Sequence, residues 1–305
     1  MMLNTFYSSI TMNPLKITIA SISIILTLSG SACRAEDTSN QKLTSLPTSM
    51  LGTWQVTEVL TDKGNPAVGQ GLDDKYLVPK YLGRILTLAP KRLSINTPRD
   101  IPCEDPKLSS RNSTASEIIA KSISTRFSSP SLPTAQDMRL PLANDAPVKV
   151  LYLSCNDGLR AKDMGMSALA DMTNVLWFIG LDNNRLAMNW HDQTVLILSR
   201  VSENTKPVAS FNCAKAETAV EKTICGSIGL AAYDKSLTQV YQLVLAYYQS
   251  KPNTKTNIAD FKKFQKEWVT QRDRCGTDAQ CLEKVMSLRI DDIIYDLGDY
   301  ISQNK

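Results

Sequence analysis

The stretch WVTQRDRCGTDAQCL, Trp268 to Leu282, decides how the C-terminal part of this chain is read. Cys275 and Cys281 stand either side of a Gly-Thr-Asp corner. Upstream, Ile258, Phe261, Phe264, Trp268 and Cys275 recur at helical spacing. Gly276 is placed to end that helix in the left-handed conformation. Thr277 is expected to cap the next helix, with Gln280 completing a capping box. That second helix carries Leu282, Val285, Arg289, Ile293 and Leu297 on one stripe. A bond between the two cysteines would pin a helical hairpin. Zinc and redox chemistry both call for closer C-x-x-C pairs, the latter beside a βαβ unit. The spacing therefore favours a staple.

Staples need an oxidising compartment, and the N-terminus points to one. Lys16 precedes an apolar run, Ile17 to Gly30, and then the small residues of SACRA. This is the three-part pattern of an export signal, and it is shorter than the ~20 residues a spanning helix needs. Cleavage after Ala32 or Ala35 gives a secreted or periplasmic chain. Lipidation of Cys33, in a stretch (LSGSAC) loosely like a lipobox, gives an outer-membrane lipoprotein, the one route to a membrane partner. Six cysteines remain after Cys33: Cys103, Cys155, Cys213, Cys225, Cys275 and Cys281. Exported chains pair such sets. Local closure predicts Cys103–Cys155, Cys213–Cys225 and Cys275–Cys281.

Outward from the opening stretch, the chain divides. Residues 1–35 read as signal and 36–49 as a polar linker. Residues 50–202 carry alternating, β-branched runs at Thr53–Leu60, Arg84–Leu88, Arg92–Asn96, Val148–Cys155, Val175–Leu181, Arg185–Trp190 and Thr194–Val201. One amphipathic helix is expected there, over Thr114–Phe127. The turns LDNNR and WHDQT mark hairpins. Residues 203–209 form a second linker, and 210–305 are helical. The fold class is α+β in two modules: an antiparallel, barrel-like sheet, then a disulfide-stapled all-α domain.

The helical part carries a further pattern. FNCAKAETAVEKTIC is followed by LAAYDKSLTQVY, FQKEWVTQRDRC and CLEKVMSLRIDDI. In order, Thr218–Glu221–Cys225, Leu230–Asp234–Leu237–Tyr241 and Trp268–Arg272–Asp273–Cys275 resemble the LprI-type lysozyme-inhibitor N-terminal domain family, over residues 210–298. Tyr233 and Met286 depart from its usual residue types. The resemblance implies a small exported helical module whose protein partner is lysozyme.

Asp234 shares a helix face with Leu230, Leu237 and Tyr241. A carboxylate on a core stripe needs a partner. Arg272 and Arg289 occupy the corresponding stripes of the other helices, which predicts a buried ion-pair network. Lys251, Asn253 and Lys255 sit on an inter-helix turn. They are donors suited to the paired carboxylates of a glycosidase cleft, and form the candidate lysozyme-contact loop.

No catalytic constellation stands out. His191 is the only histidine and sits in a turn. No phosphate loop, cofactor motif or metal-spaced cluster is present in the sequence, and Asp291 and Asp292 are helix neighbours that point apart. The net charge is +4 with both signs mixed, which gives no nucleic-acid footprint. Oligomeric state leaves no mark in the sequence. The reading is a non-enzymatic envelope protein that binds lysozyme. The alternative is a scaffold or small-ligand carrier built on the β domain, since LGTWQV (Leu51–Val56) is similar to the Gly-x-Trp start of lipocalin-like barrels.

Overall fold

The computed structural model describes residues 41–61, 74–97, 102–122, 132–155, 175–190 and 194–303. The signal segment, Cys33 and His191 lie outside them. Among the described residues, ten strands make one antiparallel sheet: β1 (Gln41–Leu43), β2 (Gly52–Leu60), β3 (Ile85–Ala89), β4 (Arg92–Ile95), β5 (Cys103–Glu104), β6 (Lys107–Thr114), β7 (Pro147–Ser154), β8 (Val175–Gly180), β9 (Arg185–Trp190) and β10 (Thr194–Arg200). Their spatial order is β1-β6-β7-β8-β9-β10-β2-β3-β4-β5.

The sheet curls. Leu93 on β4 shares one core with Leu108 on β6 and Leu153 on β7, although β4 lies far from those two strands in the sheet order. Cys103 on the last strand is bonded to Cys155, just past β7. No ladder joins β1 to β5 among the described residues, so the barrel is open at that seam. Period-2 alternation sends Trp54, Val56, Leu86, Leu88 and Leu93 inward, where Phe178, Met188 and Trp190 meet them. Trp54 is fully buried, donates to the Met50 carbonyl at 2.8 Å, and is covered by the Arg200 guanidinium at 4.1 Å from its ring centre.

β7 to β10 are apolar on their other face too. Helix α2 (Ala115–Ser122) and the segment 132–142 cover it, through Ile118, Ile119 and Met138 against Trp177, Ile179 and Ile197. Thr114 caps α2, its hydroxyl accepting from Glu117 N at 3.2 Å.

The sequence expectation of one helix in this half is corrected. A second helix, α1 (Asp74–Tyr81), precedes β3. Pro79 near its end obscured it, because proline inside a helical window usually stops the helix. The expected linker over 36–49 is also corrected. Its later residues pair as β1 on β6, and Leu46 is buried in the sheet core.

Four helices follow: α3 (Ala219–Cys225), α4 (Ile228–Gln249), α5 (Lys255–Asp273) and α6 (Ala279–Gln303). Thr218 and Glu221 form a full capping box on α3, and the Ser227 hydroxyl caps α4. Gly276 is left-handed at φ 57°, as a helix-ending glycine should be. The cap of α6, however, is Asp278 rather than Thr277. Its carboxylate accepts from Gln280 N and Cys281 N, each at 3.0 Å.

Leu230, Tyr233, Leu237, Val240 and Val244 of α4 pack on Leu282, Met286, Ile290, Ile293 and Leu297 of α6. α5 lies outside this pair and buries no residue fully. Its inward stripe runs Ile258, Phe261, Gln265, Trp268 and Arg272, so Phe264 is turned off it and is 55% exposed. Residues Thr38–Lys305 form one compact unit in which sheet and helices touch. Tyr76 of α1 belongs to the helical core, not to the sheet core.

Candidate functional site

Three disulfides place the six cysteines as Cys103–Cys155, Cys213–Cys225 and Cys275–Cys281, each with Cα atoms 5.6 Å apart. The second ties a short 3-10 turn, Cys213–Lys215, to the end of α3. The third closes the corner between α5 and α6. All six thiols are thus consumed as crosslinks.

The expected Asp234–arginine network does not form. Asp234 is buried on α4, but its carboxylate accepts from the backbone N–H of Ser210 at 2.7 Å. It ties down the segment that enters the helical region. Arg272 turns instead to its neighbour Asp273 at 2.7 Å and lies over the Trp268 ring. Arg289 donates to the Gln265 amide oxygen at 3.2 Å, linking α6 to α5, and its partial burial pushes its pKa down. Neither arginine comes within ion-pair distance of Asp234. The stripe argument placed the carboxylate in the core correctly. It failed on the partner because a loop N–H can satisfy a carboxylate as well as a guanidinium can.

The buried cation is Arg84, which the sequence reading passed over as the start of a strand. It is fully buried between α1, α4 and the sheet. Its Nε donates to the Lys80 carbonyl at 3.0 Å and its Nη2 to the Pro79 carbonyl at 3.4 Å. The guanidinium lies 3.5 Å from the centre of the Tyr233 ring. Burial lowers its pKa, against the pull of Tyr233, Glu283 and Asp291. Burial likewise drives the Tyr233 hydroxyl far above its ordinary value, so it remains a neutral donor, and it donates to the Asn96 carbonyl.

Around this pair the two halves interlock. Asn96 donates to Glu283 of α6 at 3.3 Å, Ser236 donates to the Leu82 carbonyl at 3.2 Å, and Lys80 pairs with Asp291 at 3.1 Å. Gly83, at φ 79°, lets the chain pass directly against Ala232.

The candidate contact loop lies elsewhere. Lys251, Asn253 and Lys255 are exposed on the connection from α4 to α5. The loop is nonetheless held in shape. The buried Thr254 hydroxyl donates to the carbonyls of Tyr248 (2.6 Å) and Lys251 (3.0 Å). Asn253 takes a left-handed φ of 60°, which asparagine tolerates better than most residues. The Lys251 ammonium sits 5.2 Å from the Tyr247 ring centre, and Tyr247, Tyr248, Phe261 and Tyr300 form an edge-to-face cluster behind it. Desolvation raises the Tyr248 hydroxyl pKa. The loop therefore presents two ammonium groups and an amide from a stiff aromatic base.

No group of residues suited to hold a metal ion occurs among the described residues. No described helix is long and apolar enough to cross a membrane.

Comparison with known families finds a match in the helical region. A family model described as "Lysozyme inhibitor LprI" matches residues 212–294. The match falls on the C-terminal helical region, from the Cys213–Cys225 bridge through most of α6, and leaves the sheet unmatched. That family is one of inhibitors, not of catalysts. Neither the comparison with curated proteins nor that with solved structures found a match.

Proposed function

We propose that this chain is an exported envelope protein that binds and inhibits lysozyme through its helical region, 210–305. The observation that carries the reading is the coincidence of the family match with the part of the chain that holds two staples and the α4–α6 core. The three disulfides support an extracellular or periplasmic setting.

The contact is assigned to the loop of Lys251, Asn253 and Lys255. An inhibitor of a glycosidase must meet a cleft whose working parts are two carboxylates. Ammonium groups held on a stiff base lose less side-chain entropy on docking than mobile ones. The aromatic cluster under Lys251 supplies that base.

The carrier alternative has no support of the same kind. The inside of the barrel is filled by Trp54, Phe178, Met188 and Trp190 rather than hollow.

The test is lysis of cell-wall substrate by lysozymes of different classes, with the full-length chain added. Inhibition of at least one class is expected, weakened when Lys251 and Lys255 are both replaced by alanine while the melting temperature stays unchanged. A folded chain without effect on any class removes the inhibitor reading. Inhibition untouched by the double substitution moves the contact to another surface.

A further inference from the structure

The two halves meet along a groove of about 930 Å³. Its floor is the outer face of β2, β3 and β4. The ladder places Thr53 beside Thr87 and Thr87 beside Ser94, so one hydroxyl from each strand stands in a single row. With strands ~4.8 Å apart, the row spans roughly 10 Å. One wall is the first turn of α4, at Ile228 and Gly229. The other is the start of α6, at Gln280, Glu283 and Lys284.

Three features define what would fit. The lining has no aromatic side chain, so it offers no stacking platform, and its apolar contact comes from Ile85 on the floor and from Ile95, Pro102, Val201 and Ile228 around it. Each hydroxyl of the floor can donate one hydrogen bond and accept others, which matches a ligand that is itself a row of hydroxyls. Two basic side chains line the groove, Lys284 and Arg92, the latter paired with Glu104 at 3.0 Å. Lys284 has no carboxylate within ion-pair distance among the described residues. The N-terminal end of the 22-residue α4 adds its partial positive charge. Glu283, the acidic group in the wall, accepts from Asn96 and sits in the field of the buried Arg84.

We propose that this groove, floored by Thr53, Thr87 and Ser94 and walled by Lys284, binds a carboxylated oligosaccharide of one to three rings. The volume is within the ~300–1,000 Å³ of small-molecule sites. The site is separate from the lysozyme-contact loop, because they lie at opposite ends of α4, ~33 Å apart at 1.5 Å per residue. Loss of one activity therefore leaves the other measurable.

The test is titration calorimetry of the full-length, disulfide-bonded chain with three probes: digalacturonate, the uncharged disaccharide cellobiose, and inorganic phosphate. Digalacturonate should bind about tenfold or more tightly than either of the others, the equivalent of roughly 1.4 kcal/mol. Lys284→Gln should bring digalacturonate down to the level of cellobiose. Thr87→Val combined with Ser94→Ala should weaken both sugars about tenfold, with an unchanged melting temperature. Phosphate binding as tightly as digalacturonate would reduce the site to a simple anion site and overturn the proposal. So would equal binding of the two disaccharides by the native chain, binding that survives both variants, or no heat from digalacturonate at millimolar concentration.

Discussion

Gly83→Ala probes the seam between sheet and helices at its tightest point. Gly83 has a φ of 79°, and a β-carbon added there would lie 2.6 Å from the Ala232 β-carbon. Carbon atoms pack comfortably at about 3.5–4 Å, so the new atom is about an ångström too close. Two costs follow. Holding alanine in a left-handed conformation costs about 1–2 kcal/mol. Forcing a methyl into a packed seam costs about 1–3 kcal/mol more. The sum is about 2–5 kcal/mol, a large share of the stability of an ordinary domain.

Ala232→Gly separates the two terms. On its own it should cost about 1 kcal/mol of helix stability. In the double variant it removes the steric clash and leaves only the backbone strain, so the pair should be more stable than the sum of the single changes predicts, by about 1–3 kcal/mol. Gly276→Ala is the control, with φ at 57° and no atom within 4 Å, so only strain is paid there. Urea denaturation of the four seam proteins and the control gives every number required. Additive effects at Gly83 and Ala232, or a Gly83→Ala no worse than Gly276→Ala, would refute the close packing of α4 against the turn before β3.

Other outcomes follow from the same geometry. Arg84→Ala should lower stability by about 3–5 kcal/mol, because it empties a buried site and leaves the Lys80 and Pro79 carbonyls unbonded, while Arg84→Met, which refills the volume, should cost clearly less in the same denaturation series. Replacing Cys103 and Cys155 by serine should cost about 4 kcal/mol and replacing Cys275 and Cys281 about 2 kcal/mol, since the bridges close separations of 52 and 6 residues. Glu117, hydrogen-bonded by Lys121 and Ser113, has its pKa lowered from 4.5 to about 2. A depressed carboxylate contributes stability that is fully present above pH 4.5 and is lost as pH falls toward 2. The group is 42% exposed, so solvent screening holds the effect to about 1 kcal/mol or less, and Glu117→Gln should flatten that part of the acid melting curve.

Where a segment's local pattern and its tertiary setting agree, its structure could be read directly. The alternation of Trp54 with Val56 and of Leu86 with Leu88 marked strands buried on one face, and each is a strand with those residues inward. The grouping of cysteines by half anticipated which could meet, because short chain separations close easily. The long apolar periodicity named α4 and α6. These are local properties: period, cap and turn chemistry act within a few residues.

The tertiary structure decided what depends on a neighbour distant in sequence. β6, with the polar run KLSSRNST, is a strand because β1 and β7 pair with it, not because its residues alternate. α1 holds a proline yet persists because Tyr76 is buried against the helical core. Phe264 met helical spacing and still faces water, since which of two neighbouring stripes turns inward is set by the partner helix. The buried cation turned out to be Arg84, for a guanidinium can be desolvated only where carbonyls and a ring converge, and Lys80, Pro79 and Tyr233 reach it from two separate helices. The groove at the seam has the same origin. Its hydroxyl row comes from three strands and its walls from two helices, and side chains so far apart in the chain acquire a common surface only when the sheet and the helices pack together.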